Sequence, residues 1–146
     1  LIPHVVSPLS VNDNDYTFLY DIYTRLKSGG RISILQSGLA AEKTKGVLKQ
    51  CDVVVAARMH CCVAALSVGV PTVLVGYSIK ARGMAKFAYG TDEWLLTLRD
   101  LSFDTLNEKI SSIMQQREVI QKQLREKGGY WKSCAEQAGG YLRKLL

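Results

Sequence analysis

The amino-acid sequence predicts an α/β protein: a Rossmann-like, doubly wound parallel sheet followed by a helical carboxyl-terminal tail. Two short apolar runs rich in β-branched residues, Asp52–Ala57 and Thr72–Val75, lack the polar alternation of a strand with one wet face. Segments with helical spacing lie between such runs, and this alternation is typical of a parallel sheet. From Phe103 the pattern changes to long helical periodicity. We therefore expect residues 1–101 to form a Rossmann-like domain, with the helices of residues 102–146 packed on it as part of the same domain.

The first strand is predicted at Leu1–Val6, and an amphipathic helix follows at Tyr16–Lys27. The pair Gly29-Gly30 after this helix indicates a C-cap rather than a phosphate-binding loop, because no helix begins behind it. A second strand is predicted at Arg31–Gln36 and a second helix at Leu39–Gln50.

The third strand, Asp52–Ala57, leads into an apolar helix at Cys61–Val68. Gly69 and Pro71 end that helix, since a glycine past the last turn and a proline beyond it are stop signals. The fourth strand is Thr72–Val75. A right-handed crossover is the default for such a strand-helix-strand unit.

A fourth helix is predicted at Ile79–Tyr89, where Gly90 ends it. In the tail, apolar residues share one helical face: Leu106, Ile110, Ile113 and Met114, with Leu124 further on. Gly128-Gly129 is predicted to break the tail into separate helices. The last helix carries aromatic residues that we interpret as packing anchors: Tyr130, Trp131 and Tyr141.

Composition and charge restrict the class of protein. The 146 residues fit one domain with a sizeable core, and no stretch is long and apolar enough to span a bilayer. Much of the net charge of +6 arises in the tail, where basic and acidic side chains are interspersed as on a solvated helical face. We therefore expect no nucleic-acid partner, whereas a polyanionic acceptor or the inner face of a membrane is compatible with the basicity.

The four cysteines show neither metal-ligand spacing nor a disulfide framework, which indicates an intracellular, cytoplasmic setting. His4 and His60 are too far apart in sequence to support a zinc site, so we expect no metal. The chain begins at Leu1 rather than methionine and opens on an apolar, strand-like run. We therefore expect a fragment whose partner domain lies on the amino side.

Polar and cationic side chains follow the third and fourth predicted strands where each ends: Arg58 and His60 after the third, Tyr77 and Lys80 after the fourth. If these strands are neighbours, they lie about 5 Å apart and the side chains meet at the carboxyl edge, where open α/β sheets bind ligands. The helix that begins near Met59 adds free N–H groups and a positive dipole end, which favour a phosphate or carboxylate. Taken singly, Arg58 could pair with a surface carboxylate and His60 could be an ordinary first-turn histidine. The cluster favours a functional site.

The order of these residues resembles the signature region of the polysaccharide pyruvyl transferase family. Residues 51–84 contain Arg-x-His after a strand, Gly-x-Pro before the next strand, and Tyr-x-x-Lys after it. The opening Ile2–Val5 and the Asn12–Asp15 stretch are similar to the start of that family's carboxyl-terminal domain. The resemblance covers residues 1 to about 90. It implies one half of a GT-B-like two-domain transferase, with the donor held largely by this half.

The resemblance implies that a pyruvyl group passes from phosphoenolpyruvate to two hydroxyls of a polysaccharide or lipid-linked sugar, forming a pyruvate ketal without a cofactor. Phosphoenolpyruvate carries a phosphate and a carboxylate, so its site needs at least two cationic groups. We assign these roles to Arg58, with the backbone at Met59, and to Lys80, while Tyr77 supplies a hydroxyl donor. His60 is the expected catalytic residue, which protonates the enol methylene or binds the phosphate that leaves.

Ser78 departs from the family pattern, since relatives often have Asp or Asn there, so no carboxylate role carries over. We expect the acceptor site to lie on the amino-terminal domain. The fragment alone is therefore not expected to be catalytically competent. Two other functions stay open. A nucleotide-sugar-dependent GT-B glycosyltransferase shares the architecture, although the helix after the third strand lacks the carboxylate that commonly holds the ribose or sugar. A non-catalytic anion-binding or assembly domain of the same fold is the other.

Overall fold

The computed structural model describes residues 1–5, 14–26, 30–76 and 78–143. The chain divides into two compact units, residues 1–44 and 45–146. The described residues form six α-helices and one three-stranded parallel sheet, so the fold is mixed α/β. The predicted end of the first helix at Lys27 and its glycine C-cap at residue 29 lie outside the described residues.

In the first unit, helix α1 spans Asp15–Leu26. The Asn14 side chain accepts a hydrogen bond from the Tyr16 N–H at 3.0 Å, as expected of an asparagine at a helix start. The Asp15 carboxylate accepts from the Val5 N–H at 2.9 Å, and the Asp15 N–H donates to the Val5 carbonyl at 2.8 Å. Asn14 therefore caps the helix, while Asp15 at its first position holds the opening segment.

The two strands predicted in this unit are not formed as regular strands in the described residues. The Leu35 N–H donates to the Leu1 carbonyl at 2.9 Å, and the terminal amino group of Leu1 donates to the Ser33 carbonyl at 2.6 Å. Bonds to the two residues that flank position 34 are the parallel pairing pattern. The prediction of full strands at Leu1–Val6 and Arg31–Gln36 is therefore wrong in extent. An apolar, β-branched run predicts an extended segment. How many of its residues form a regular strand depends on how many backbone hydrogen bonds the neighbouring segment provides.

The sheet lies in the second unit and consists of β1 (Val54–Ala56), β2 (Thr72–Val75) and β3 (Leu95–Leu96). The strand order is β1-β2-β3 and both pairings are parallel, so all three carboxyl ends meet at one edge. The central strand β2 has the predicted bounds, whereas β3 was not predicted.

Burial of β1 is less complete than its sequence pattern predicts. Val54 and Ala56 are buried, but Val55 between them is 42% exposed. Alternate side chains of a strand point to opposite faces, so one face of β1 is covered and the other carries Val55. The expectation of a strand covered on both faces is therefore wrong at this position.

Helix α2 spans Ala41–Leu48, across the boundary between the units, and the other helices are α3 (Met59–Ser67), α4 (Ile79–Tyr89), α5 (Phe103–Gln115) and α6 (Arg117–Arg143). Helix α4 has the predicted bounds. Gly90 ends it with a φ of 82°, and the Gly90 N–H donates to the Lys86 carbonyl at 2.8 Å, as in a left-handed C-cap.

One hydrophobic cluster joins the sheet to helices α3 to α6: Leu66, Val73, Ala88, Trp94, Leu96, Ile113, Ile120 and Leu124. Helices α3, α4 and α5 contact the sheet, and α6 contacts α3, α4 and α5. The tail helices therefore belong to the same core as the strands.

Gly128-Gly129 does not break the tail, because α6 runs through both residues. Glycine costs a helix about 1 kcal/mol relative to alanine. Packing on either side of the pair offsets this: Leu124 is 1% exposed, and the Trp131 ring stacks on Phe87 with ring centroids 5.1 Å apart. The packing role predicted for the aromatic residues holds for Trp131, whereas Tyr130 and Tyr141 are exposed.

Candidate functional site

The starts of α3 and α4 lie at the same edge of the sheet. Ala56, the last residue of β1, pairs with Leu74, and β2 ends one residue later at Val75. Helix α3 then begins at Met59 and helix α4 at Ile79. Adjacent parallel strands thus deliver two helix N-termini to the carboxyl edge, where open α/β sheets bind their ligands.

The N-terminus of α3 is not capped by its own N-cap side chain. Arg58 is the N-cap residue, with extended backbone (φ −88°, ψ 125°), and its carbonyl accepts from the Cys62 N–H at 3.1 Å. The Arg58 side chain makes no cap hydrogen bond. The N–H groups of Met59 and His60 have no acceptor within the helix ladder. Together with the helix dipole they favour an anion at this end.

The N-terminus of α4 has the same property. Its N-cap residue is Ser78, with φ −98° and ψ 155°, and the Ser78 carbonyl accepts from the Ala81 N–H at 3.1 Å. Serine is a favoured N-cap residue, yet the Ser78 hydroxyl makes no cap hydrogen bond. The N–H groups of Ile79 and Lys80, which precede the first bonded N–H of this helix, therefore also have no acceptor within its ladder.

The start of α5, which follows β3, is closed by its own side chains. The Ser102 hydroxyl accepts from the Thr105 N–H at 3.1 Å, and the Thr105 hydroxyl accepts from the Ser102 N–H at 3.0 Å. This reciprocal pair is a capping box, which satisfies the donors that an anion would otherwise take. Of these three helix starts, all within the described residues, those of α3 and α4 are thus the ones whose first-turn donors are left for an anion.

The predicted site residues occupy these two starts. Arg58 and His60 are exposed at the beginning of α3, Met59 between them is partly buried, and Lys80 is exposed in the first turn of α4. Tyr77 lies outside the described residues. The topology therefore brings the positions of Arg58, His60 and Lys80 to one edge, and the cleft that the four side chains are expected to line stays a prediction.

Cys62 fixes the turn from β1 into α3. Its thiol donates to the Ala56 carbonyl at 3.5 Å, while its N–H bonds the Arg58 carbonyl. Burial raises the pKa of the Cys62 thiol to about 12, so the thiol stays protonated and remains a donor. The spacing of the four cysteines did not predict this contact. The position of Cys62 one helical turn behind Arg58 was the signal that could have indicated this role.

Cations of α6 lie at the opposite edge of the sheet, near the residues that enter the strands. Arg117 forms an ion pair with Asp52, which precedes β1. The Lys127 Nζ donates to the Ala88 carbonyl at 2.8 Å, near the end of α4. Two basic side chains of the tail, Arg117 and Lys127, therefore form intramolecular contacts away from the edge that carries Arg58.

Neither a metal cluster nor a membrane-crossing helix occurs in the described part of the chain. No three His, Cys, Asp or Glu side chains there come together in a way that could hold a metal ion. No helix in these ranges has the length and apolar character to cross a bilayer.

An α/β sheet with two uncapped helix starts and cationic side chains at its carboxyl edge is the arrangement with which this class of fold binds anionic ligands. A model of the polysaccharide pyruvyl transferase family matches residues 1–79. This range is more than half of the chain; it includes Arg58, Met59 and His60 and ends one residue before Lys80. The chain belongs to the polysaccharide pyruvyl transferase family. Searches among curated proteins and among solved structures gave no match.

Proposed function

We propose that this chain is the donor-binding part of an enzyme that transfers a pyruvyl group from phosphoenolpyruvate to two hydroxyls of a polysaccharide or lipid-linked sugar. The product is a pyruvate ketal. The observation that carries the proposal is the pair of uncapped helix starts, α3 and α4, at one sheet edge. The family model covers the start of α3 and ends at Ile79, the first residue of α4.

Two helix starts suit a donor with two anionic groups. The Arg58 guanidinium can bind a phosphate or carboxylate through two parallel hydrogen bonds, with the N–H groups of Met59 and His60 beside it. Lys80 and the first turn of α4 then bind the other anionic group, and Tyr77 contributes a hydroxyl.

The reaction needs one proton donor at the enol carbon. One acceptor hydroxyl adds to C2 of phosphoenolpyruvate while C3 takes a proton and becomes a methyl group. Phosphate then leaves C2 and the second hydroxyl takes its place, so one hydroxyl proton is accounted for on C3 and the other leaves with phosphate. An imidazole can give and take a proton near neutral pH. We assign the transfer to C3 to His60.

Family membership supports a GT-B-like arrangement in which an amino-terminal domain supplies the acceptor site. A lipid-linked acceptor would place the reaction in the cytoplasm at the inner face of the membrane, where the basic tail can lie near anionic headgroups. The donor-binding domain then comprises residues 1–101, with residues 102–146 as helices packed on it.

The test is a turnover assay with the full-length protein. Phosphate release from phosphoenolpyruvate should depend on a sugar acceptor, and the product should show an acid-labile ketal methyl group by NMR without any nucleotide sugar. Consumption of a nucleotide sugar in place of phosphoenolpyruvate would establish the glycosyltransferase alternative, with Arg58 and Lys80 reassigned to a diphosphate. Phosphoenolpyruvate binding without turnover would indicate a non-catalytic anion-binding domain.

A further inference from the structure

Gly76 is the point of closest approach between the sheet and α4. It follows β2 directly, and a Cβ placed on it would lie 2.8 Å from the Cβ of Ala81. Real β-carbons essentially never approach this closely. Ala81 is 3% exposed and belongs to the first turn of α4, immediately after Lys80.

The requirement for glycine at position 76 is one of space and not of backbone conformation. Among the described glycines, positive φ angles occur at Gly30, Gly38, Gly69 and Gly90, and Gly76 is not one of them. An alanine could therefore adopt the backbone angles of this position. Among the described residues, the contact that opposes it is the one with Ala81.

The backbone at position 76 cannot easily move toward the sheet to make room for a methyl group. The Gly76 N–H donates to the Leu96 carbonyl at 3.0 Å, the bond that follows the last residue of β2 in its ladder with β3. On the other side, Ala81 is fixed in the helix by its N–H bond to the Ser78 carbonyl at 3.1 Å. Relief of the contact must therefore either break the ladder bond or move the first turn of α4 by several tenths of an ångström.

We infer that Gly76 is a positioning residue of the donor site: its missing side chain lets the first turn of α4, with Lys80 and the uncapped N–H groups, approach the end of β2 closely enough to bind phosphoenolpyruvate. The inference rests on the proposed function. It goes beyond that function in assigning part of the donor affinity to a residue that carries no functional group.

The experiment compares four variants of the full-length protein: Gly76→Ala, Ala81→Gly, the double variant, and Gly83→Ala. Gly83 lies in the same helix, and a Cβ there meets nothing within 4 Å. A displacement of 1 Å at a site can cost about a hundredfold in rate. For the smaller movement here we expect Gly76→Ala to raise the KM for phosphoenolpyruvate about tenfold. The KM for the sugar acceptor should not change, and Gly83→Ala should leave both constants unchanged.

The double variant separates positioning from general damage, because Ala81→Gly removes the atom that the new methyl group meets. Its KM for phosphoenolpyruvate should return to that of Ala81→Gly alone. A purely structural role would lower the unfolding temperature without a selective change in this KM. A folded Gly76→Ala with wild-type KM, or a double variant still impaired relative to Ala81→Gly, overturns the inference.

If Gly76→Ala does not fold, the double variant decides by the same comparison with Ala81→Gly: an equal KM supports the inference, and a raised KM or an unfolded double variant overturns it. A wild-type protein that consumes no phosphoenolpyruvate overturns the proposed function itself, and the inference with it.

Discussion

Tyr89 supplies both hydrogen bonds that Thr72 lacks at the start of β2. The Tyr89 hydroxyl accepts from the Thr72 N–H at 2.8 Å and donates to the Thr72 carbonyl at 2.9 Å. The N–H groups of Leu74 and Gly76 bond the β3 side of the sheet, and Thr72 faces the same side, where β3 does not extend. One phenol therefore takes the place of a missing strand residue, and it ties the end of α4 to the central strand.

We expect Tyr89→Phe to lower the free energy of unfolding by about 2–3 kcal/mol, because a buried backbone group left without a partner costs about 1–3 kcal/mol. Thr72 is fully buried, so water cannot replace the phenol without rearrangement. Urea denaturation followed by circular dichroism measures the change. The control is Tyr130→Phe, which removes a hydroxyl from an exposed ring and should cost no more than about 0.5 kcal/mol. Equal stability of the two variants would contradict this account of the sheet.

Arg58→Ala should weaken phosphoenolpyruvate binding about a hundredfold, since a charge-assisted hydrogen bond contributes about 1.5–3 kcal/mol. Isothermal titration calorimetry, repeated with inorganic phosphate, measures the loss. Arg99→Ala is the matched control, because Arg99 follows β3 at the same edge, before the helix start that Ser102 and Thr105 close. Similar losses in both variants would indicate diffuse electrostatic attraction in place of a site at Arg58.

His60→Gln should reduce turnover by about 10²–10⁴-fold, the usual contribution of general acid-base catalysis. Glutamine keeps a hydrogen-bonding group of similar reach but cannot transfer a proton. Phosphate release from phosphoenolpyruvate measures turnover, and calorimetry on the same variant should give an affinity close to wild type. If turnover is retained, His60 serves only binding or structure.

Alkaline pH should destabilise the protein in part through Cys62. Its pKa is raised from the usual value of 9.0 to about 12, mainly by burial, so the unfolded thiol ionises at a lower pH than the folded one. The stability from this residue is fully present below pH 9 and is lost as the pH rises toward 12. Burial raises the pKa of Tyr89 too and acts in the same direction.

The measurement is the free energy of unfolding between pH 8 and about 10.5, the lower part of that window. Cys62→Ser keeps a donor for the Ala56 carbonyl but does not ionise in this range. It should therefore show a shallower decline than wild type. Two parallel curves would show that Cys62 does not contribute to the pH dependence.

Two elements that have a proline or glycine at one end were predictable from sequence with their bounds. Both β2 and α4 have their predicted bounds, because Pro71 precedes one and Gly90 ends the other. Strand β3 has only two residues, Leu95 and Leu96, which is too few for any periodicity. It forms through pairing with β2 and through burial of Leu96 and the preceding Trp94, which depend on residues distant in sequence.

The location of the candidate site at the carboxyl edge was predictable, because β1 and β2 were predicted from the sequence. Which helix N-termini are capped by their own side chains could be seen only in the structure. Ser78 and Ser102 are both favoured N-cap residues, and only Ser102 caps its helix. The third helical residue after Ser102 is Thr105, which returns a hydrogen bond, whereas Ala81 at the matching position cannot. The close approach of Ala81 to Gly76 depends on how α4 packs against β2. No local sequence pattern predicts that distance.

The residues that match the family model do not include all the residues that form the hydrophobic core. The family model ends at residue 79, yet Val73 shares its cluster with Ile113, Ile120 and Leu124 from α5 and α6. A chimera that transplants residues 1–79 alone into a relative would carry the start of α3, with Arg58 and His60, without the helices that cover the strands of the sheet. The family signature therefore cannot be exchanged between relatives on its own. Helices α5 and α6 must be transferred with it, or the recipient protein must provide two helices that pack on the strands in the same way.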